Sequence, residues 1–258
     1  MKIAITGKGG VGKTTVAAYL ARGWRRLGYR VTAVDADPDA NLAGTLGYRG
    51  PEIVPLTRLK ALIEERVGDG DGWGGFLRMN PRVDDIAAQV GVEVDGIRVL
   101  VMGTIERGRR GCACPENVLL REVLAHLILA ETEHVVVDME AGIEHLGRGT
   151  AEGVDRMLIV VEPGWASLQT AARISALAHD LGVVNLAAVA NRIESQEDAA
   201  FVRSGIPPGL PLLAELPFDR NVERQARTGV PTGTAAFEQE FGRLLQRLGT
   251  GPLKRGTS

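Results

Sequence analysis

The sequence has few aromatic residues, very little cysteine and no excess of charge of either sign. Phe, Trp and Tyr together make up 4% of its 258 residues, and Cys112 and Cys114 are its two cysteines. The formal net charge is −2 and the pI is about 6.1. General nucleic-acid binders carry a strongly basic surface. We therefore expect no nucleic-acid partner.

Long apolar runs are also missing. No segment reaches the ~18 uninterrupted apolar residues of a membrane-spanning helix, so we expect no membrane partner. The chain runs from Met1 directly into a strand-like segment, without the apolar region and cleavage site of a secretory signal. We therefore predict a cytoplasmic protein. Apolar residues make up 45% of the chain, which is enough for a sizeable core at this length.

Strand-like and helix-like segments alternate along the chain. Apolar segments rich in β-branched residues are predicted as strands at 2–6, 30–35, 97–102, 134–138, 156–161, 185–190 and 212–216. Helical patterns are predicted at 14–27, 118–130, 165–180, 198–204 and 237–248. This alternation predicts an α/β fold, with a mostly parallel seven-stranded sheet and helices on both faces.

Two regions interrupt the alternation. Residues 48–96 form a long insertion between the second and third predicted strands, and its glycine-rich stretch at 68–75 is predicted as a mobile loop. Residues 106–116 form a polar loop that carries both cysteines. We expect a single domain over residues 1–250 and a flexible tail over 251–258.

The segment after the first predicted strand fits the phosphate-binding pattern G-x-x-x-x-G-K-[ST]. It runs from Gly7 to Thr14 and lies between a strand and a helix, as this pattern requires. Its glycines allow backbone N–H groups to face an anion, and the helix adds the positive end of its dipole. Lys13 is predicted to reach the β- and γ-phosphates, and Thr14 to bind Mg²⁺. The predicted nucleotide contacts here are Gly9, Gly10, Val11, Gly12, Lys13, Thr14 and Thr15.

Carboxylates follow two other predicted strands, at the end where parallel sheets bind ligands. Asp37 is predicted to orient or deprotonate the attacking water, and Asp35 is the weaker candidate for this role. Asp138 closes an apolar strand and is predicted to hold Mg²⁺ through water. A capping role alone is the alternative interpretation of Asp138.

The two cysteines lie one residue apart, ahead of a predicted helix. Two thiolates cannot complete a tetrahedral metal site, but a two-fold dimer would bring four together. Helix N-termini lower thiol pKa values, which favours metal binding. The alternatives are small buried side chains and a redox pair, whose disulfide would be strained over one intervening residue. His134 and Trp165 are predicted as structural or packing residues.

These motifs together resemble the MinD/ParA/nitrogenase-iron-protein class of ATPases. Lys8 occupies the position of the early lysine in the deviant Walker A motif of that class. The resemblance implies a homodimer in which Lys8 crosses to the nucleotide of the partner chain, much as an arginine finger does. The D-x-x-A-G pattern that starts at Asp138 resembles the second switch of the class, which implies a γ-phosphate contact for Gly142.

The same resemblance implies the adenine contacts. Asn191 and Arg192 follow the sixth predicted strand at the adenine-reading position of the class. An Asn side chain can donate to and accept from the adenine edge. The segment from Leu216 to Asp219 resembles the loop that closes over the base, and it adds Pro217 to the predicted contacts.

The cysteine loop and the segment 138–150 narrow the resemblance to CooC-type maturation ATPases, over a length from Met1 to about Leu248. This implies an ATP-hydrolysing metallochaperone with ATP/ADP and Mg²⁺, and with Ni²⁺ or Zn²⁺ bridging Cys112 and Cys114 of two chains. The implied client is a nickel enzyme such as carbon monoxide dehydrogenase.

Two alternatives stay open. Four cysteines on a two-fold axis could hold an iron–sulfur cluster, which would make the protein a cluster carrier. A MinD/ParA-like positioning ATPase would need a basic amphipathic helix or a basic surface. The helix at 237–248 has an apolar stripe, but glutamates lie among its basic residues, and we expect it to dock on the domain.

Overall fold

One mixed sheet forms the centre of the computed structural model, which describes residues 1–68, 78, 80–103, 115–129, 134–140, 153–228 and 232–249. Its strands are β1 (Lys2–Gly7), β2 (Val31–Ala36), β3 (Val92–Val94), β4 (Ile97–Val101), β5 (His134–Met139), β6 (Arg156–Val161), β7 (Leu186–Ile193) and β8 (Leu212–Pro217). Their order across the sheet is β3-β4-β2-β5-β1-β6-β7-β8. Only β3 and β4 pair antiparallel among these described strands. The predicted α/β class is confirmed.

The sheet has one strand more than predicted. Val92–Val94 is a three-residue edge strand that turns back onto β4 through Asp95 and Gly96. Both turn residues have positive φ, 51° and 72°, as the tight turn of a hairpin requires. The Asp-Gly pair was therefore a signal for this strand, but the strand itself is too short to show an alternating pattern.

Helices cover both faces of the sheet. They are α1 (Lys13–Arg26), α2 (Leu42–Leu46), α3 (Lys60–Arg66), α4 (Ile86–Val90), α5 (Pro115–Leu129), α6 (Trp165–Asp180), α7 (Gln196–Gly205), α8 (Arg220–Thr228) and α9 (Ala235–Arg247). Successive residues of a strand point to opposite faces. Accordingly, Ile3 and Ile5 of β1 join one buried cluster with α1 and α9, whereas Ala4 joins the other cluster with α5 and α6.

The insertion at 48–96 contributes to the core. Its Leu56, Val67 and Ile86 are fully buried, and α3 contacts α5. An ion pair between Arg66 of α3 and Asp85, directly before α4, has an N–O distance of 2.8 Å. The segment is therefore a packed part of the domain, although residues 69–75 of its glycine-rich stretch lie outside the described residues, as does the predicted tail at 251–258.

The last described helix docks on the domain, as expected from its sequence. Phe237, Phe241 and Leu244 of α9 are buried. The Tyr19 ring of α1 lies 4.9 Å from the Phe237 ring and 5.4 Å from the Phe241 ring. The apolar stripe is therefore used inside the fold. No helix within the described ranges is long and apolar enough to cross a membrane.

His134 has the predicted packing role. Its ring stacks on Tyr29 at 3.9 Å and meets Trp24 edge-on at 4.9 Å. Burial, helped by the positive charges of the chain's amino group and of Lys2, lowers the pKa of His134 to about 4. The imidazole is thus neutral at physiological pH and packs as an aromatic ring.

This pKa predicts a pH dependence of stability. The pKa of this histidine is about 6.5 in the unfolded chain and about 4 in the folded protein. Between these two pH values the unfolded chain binds a proton that the folded protein does not bind. The contribution of His134 is therefore complete above about pH 6.5 and is lost toward pH 4. We expect His134→Phe to lose less unfolding free energy than wild type between about pH 7 and pH 5. Urea denaturation at each pH measures this, and His179→Gln, at an exposed position of α6, is the control.

Candidate active site

The loop between β1 and α1 forms a cradle that is open toward solvent. A Cβ atom added at Gly9 or Gly10 would meet no heavy atom within 4 Å. The first turn of α1 contains no acidic residue, and Gly12 precedes the helix without a side-chain cap. Free backbone N–H groups at a helix start attract anions. The local geometry therefore fits a bound phosphate chain.

Position 12 requires glycine, because its backbone is left-handed and the Asn191 side chain lies against it. Its φ is +94°, and an added Cβ would lie 2.3 Å from Asn191 Nδ2. Asn191 is buried, and its side-chain amide donates a hydrogen bond of 2.8 Å to the Val11 carbonyl. The end of β7 is thereby tied to the phosphate loop, as expected if both contact one nucleotide.

Two aspartates at the end of β2 have different surroundings. Asp35 is fully buried and accepts hydrogen bonds from the backbone N–H groups of Leu42, at 2.8 Å, and Asp37, at 3.2 Å. Burial raises the pKa of Asp35 to about 6. Asp35 therefore shapes the turn. Asp37 is partly exposed. Its Oδ1 accepts a hydrogen bond of 3.0 Å from the Asp39 N–H, and its Oδ2 lies 3.9 Å from Nζ of the buried Lys13.

Asp138 at the end of β5 is the most unusual group of the site. It is fully buried, and neither carboxylate oxygen has a hydrogen-bond partner among the described residues. Burial raises the pKa of Asp138 to about 7; the nearby Thr14 hydroxyl opposes this shift without reaching hydrogen-bond geometry. An unpaired buried carboxylate is costly. Asp138 together with Thr14 would offer oxygen ligands to a divalent cation, and the Mg²⁺ role of these two residues stays a prediction.

A pocket beside the phosphate loop contains most of the predicted adenine contacts. Its lining residues are Gly12, Thr15, Asn191, Arg192, Pro217, Phe218, Asp219, Val222, Glu223 and Phe237. The structure thus brings Asn191, Arg192 and Pro217, the predicted adenine contacts, to one pocket together with Thr15. Val222, Glu223 and Phe237 were not predicted, because they come from α8 and α9 and no local motif marks them.

Asp219 holds one wall of this pocket together. It accepts hydrogen bonds from the backbone N–H of Asn221, at 2.8 Å, and of Thr234, at 2.6 Å. Because Asn221 lies in α8 and Thr234 directly precedes α9, one carboxylate joins the starts of two helices. Sequence reasoning placed Asp219 in the loop over the base but did not recognise this bridging role.

Some predicted site residues lie outside the described residues. These are Gly142, Cys112 and Cys114. Within the described ranges, no group of three or more His, Cys, Asp or Glu side chains could hold a metal ion. Trp165 was predicted as a packing residue, but the structure leaves it 67% exposed at the start of α6.

Comparison with known proteins identifies the class. Residues 2–232 match the family model described as the CobQ/CobB/MinD/ParA nucleotide binding domain. The chain belongs to this family and, within it, is a CooC-type ATPase of the MinD/ParA class.

One relative supports the narrower assignment, and a second is named only as an ATP-binding protein. The carbon monoxide dehydrogenase accessory protein CooC of Rhodospirillum rubrum is 46% identical over 233 residues, which cover 89% of this chain and 88% of that protein. An uncharacterized ATP-binding protein of Methanocaldococcus jannaschii is 48% identical over 234 residues, or 90% of each chain.

Solved structures agree with the fold. The MinD cell division protein of Aquifex aeolicus has a TM-score of 0.67 at 23% identity and covers 98% of this chain and 99% of its own. The septum site-determining protein MinD of Pyrococcus horikoshii, in complex with Mg-ADP, has a TM-score of 0.66 at 20% identity, with coverages of 95% and 94%. At these identities the likeness establishes the fold alone.

The contact between Gly12 and Asn191 can be tested by substitution. We expect Gly12→Ala to weaken ATP binding by about tenfold or more, because a left-handed φ costs an L-residue roughly 1–2 kcal/mol and the new methyl group displaces Asn191. Calorimetric titration with ATP measures the affinity. Gly44→Ala is the matched control, since an added Cβ there meets nothing within 4 Å. Unchanged affinity in Gly12→Ala would contradict the role of this contact.

Proposed function

We propose that the protein is an ATP-dependent metallochaperone, which hydrolyses ATP as a homodimer and helps to insert nickel into carbon monoxide dehydrogenase or a related nickel enzyme. The observation that carries this proposal is the 46% identity, over 89% of the chain, to a relative named as a carbon monoxide dehydrogenase accessory protein. The cysteine pair supports it, because thiolates are suitable ligands for a soft divalent metal.

The nucleotide site of this proposal uses the cradle at the start of α1. The backbone N–H groups of residues 9–15 would bind the phosphates, and Lys13 would neutralise the β- and γ-phosphates. Thr14 and Asp138 would hold Mg²⁺, which supplies charge neutralisation on the phosphate oxygens. Asn191, Arg192 and Pro217 would contact adenine in the pocket that they line.

Hydrolysis needs a residue that orients the attacking water. Asp37 is the candidate, because it is partly exposed, lies close to Lys13 and has a backbone hydrogen bond on only one of its oxygens in the described structure. Asp35 is buried, and both of its oxygens accept backbone hydrogen bonds. In the dimer, Lys8 would reach the partner's nucleotide, so that hydrolysis depends on dimerisation. Gly142 would contact the γ-phosphate and respond to its loss.

The metal would be carried between the two chains. Cys112 and Cys114 directly precede α5, which begins at Pro115, and a helix start favours the thiolate form that binds metals. Two chains would supply four thiolates to one Ni²⁺ ion, or to Zn²⁺. Because nucleotide and metal would share one interface, the binding of either must influence the other.

The shared metal site gives a first prediction. We expect anaerobic, metal-free protein to bind one Ni²⁺ per two chains, with thiolate-to-metal charge-transfer absorbance that saturates at this ratio. ATP should tighten binding, and Cys112→Ser or Cys114→Ser should abolish the absorbance. Ala113→Ser, which leaves both thiols in place, is the matched control.

Other outcomes of this experiment identify the rival functions. Binding that is indifferent to both cysteine substitutions would contradict the metallochaperone proposal. Iron and labile sulfide in an anaerobic preparation would instead indicate a cluster carrier. ATP-dependent sedimentation with anionic liposomes would indicate a positioning ATPase, although the apolar side of α9 is already buried in the domain.

The proposed role of Asp37 gives a second prediction. We expect Asp37→Asn to lower the steady-state ATPase rate by roughly 10²–10⁴-fold, the usual contribution of a general base, with ATP still bound. Phosphate release and equilibrium ATP binding measure the two effects separately. Asp39→Asn is the control, because Asp39 is an exposed carboxylate two residues away. Equal rates for wild type and Asp37→Asn would exclude Asp37 as the base.

A further inference from the structure

One carboxylate connects the phosphate loop with Arg192 near the end of β7. Glu162 directly follows β6, and its Oε1 lies 3.7 Å from Nζ of Lys8. Its Oε2 lies 3.4 Å from Nη1 of Arg192. A single negative charge is thus shared by two cations that belong to different parts of the nucleotide site. Sequence reasoning did not single out Glu162, although its position at the carboxyl end of a parallel strand was a signal.

Glu162 and Arg192 are held by their backbones. The Glu162 N–H donates a hydrogen bond of 3.1 Å to Oγ of the buried Ser167, whose own N–H donates to the Gly164 carbonyl at 3.0 Å. Arg192 has a left-handed φ of 59° and follows Asn191, which is anchored on the phosphate loop. A non-glycine residue persists in this conformation when its surroundings determine it.

Lys8 is the member of this cluster that can leave. Its side chain is 41% exposed, against 25% for Glu162 and 46% for Arg192, so exposure alone does not distinguish the two cations. The difference is in the backbone: Arg192 follows the anchored Asn191, whereas Lys8 lies in the open phosphate loop and its long stem allows the ammonium group to reach away from the domain. When Lys8 leaves, Arg192 still pairs with Glu162, so the carboxylate is not left without a counter-charge. The arrangement therefore permits an exchange of partners at low electrostatic cost.

We propose that Glu162 is a positioning residue that holds Lys8 on its own chain until the ATP-bound dimer forms. This rests on the proposed function, in which Lys8 acts on the partner's nucleotide. The triphosphate of a partner offers Lys8 more negative charge than one carboxylate does, so it competes successfully when two ATP-bound chains meet. After hydrolysis and phosphate release this advantage falls, and Glu162 recaptures Lys8.

The effect is modest in size and sensitive to salt. Both side chains are partly exposed, and ion pairs of this kind contribute little free energy. Each dimer releases Lys8 from Glu162 in both chains, so removing the charge should tighten the dimer by about two- to fivefold per pair, which is roughly four- to 25-fold in the dimer dissociation constant. Because exposed charges are screened by salt, the difference should disappear at about 0.5 M salt. A purely structural role of Glu162 would not produce this salt dependence.

The test measures the dimer dissociation constant of the full chain by sedimentation velocity, with a non-hydrolysable ATP analogue at low and high salt. Glu162→Gln and Glu162→Ala should both dimerise more tightly than wild type at low salt, with unchanged melting temperatures. Glu215→Gln is the matched control, because Glu215 has a similar exposure of 23% and pairs with Arg203, away from Lys8. It should behave as wild type.

The possible results separate the two proposals. If wild type stays monomeric with the analogue, the proposed dimer and this inference both fail. If wild type forms a dimer but the Glu162 variants dimerise equally or less tightly, the inference alone is overturned. Less tight dimers would show that Glu162 stabilises the interface. A gain that persists at high salt would likewise contradict an electrostatic hold on Lys8.

Discussion

The parallel pairing of β1 with its two neighbours determines where every part of the site lies. β1 pairs with β5 on one side and with β6 on the other, so the phosphate loop emerges between the ends of these strands. Ile5 is in register with Asp138, and Gly7 with Val160, two residues before Glu162. Since parallel strands end at the same edge, residues far apart in the chain meet around one loop.

Two buried carboxylates lie side by side at this edge of the sheet. Asp35 and Asp138 are in register on neighbouring strands, and both are fully buried. Backbone hydrogen bonds satisfy Asp35, but Asp138 has no hydrogen-bond partner among the described residues. A fold whose function was purely structural would gain by replacing such a group with an apolar one. In the proposed function, Mg²⁺ bound beside Asp138 would supply the missing counter-charge.

The structural neighbours identify only the fold, whereas the sequence relatives identify the family. The sheet and its helices are shared with MinD proteins at about 20% identity, and one fold can support many functions. The relative at 46% identity, together with the family match, instead places the chain among CooC-type ATPases. The docking of α9 agrees, because Phe237 and Phe241 pack on Tyr19 and are therefore unavailable to a membrane surface.

The sequence by itself determined the phosphate loop, the alternation of strands and helices, and the strand-end positions of Asp37, Asp138 and Asn191, because these depend on neighbouring residues. Only the tertiary structure decided which distant groups meet. The Asn191 amide contacts the carbonyl of Val11 across 180 residues of sequence. Glu162 is chemically identical to many surface glutamates, and only the order of β1, β6 and β7 puts its carboxylate between two cations. Such contacts depend on strand order, which local conformational preferences do not encode.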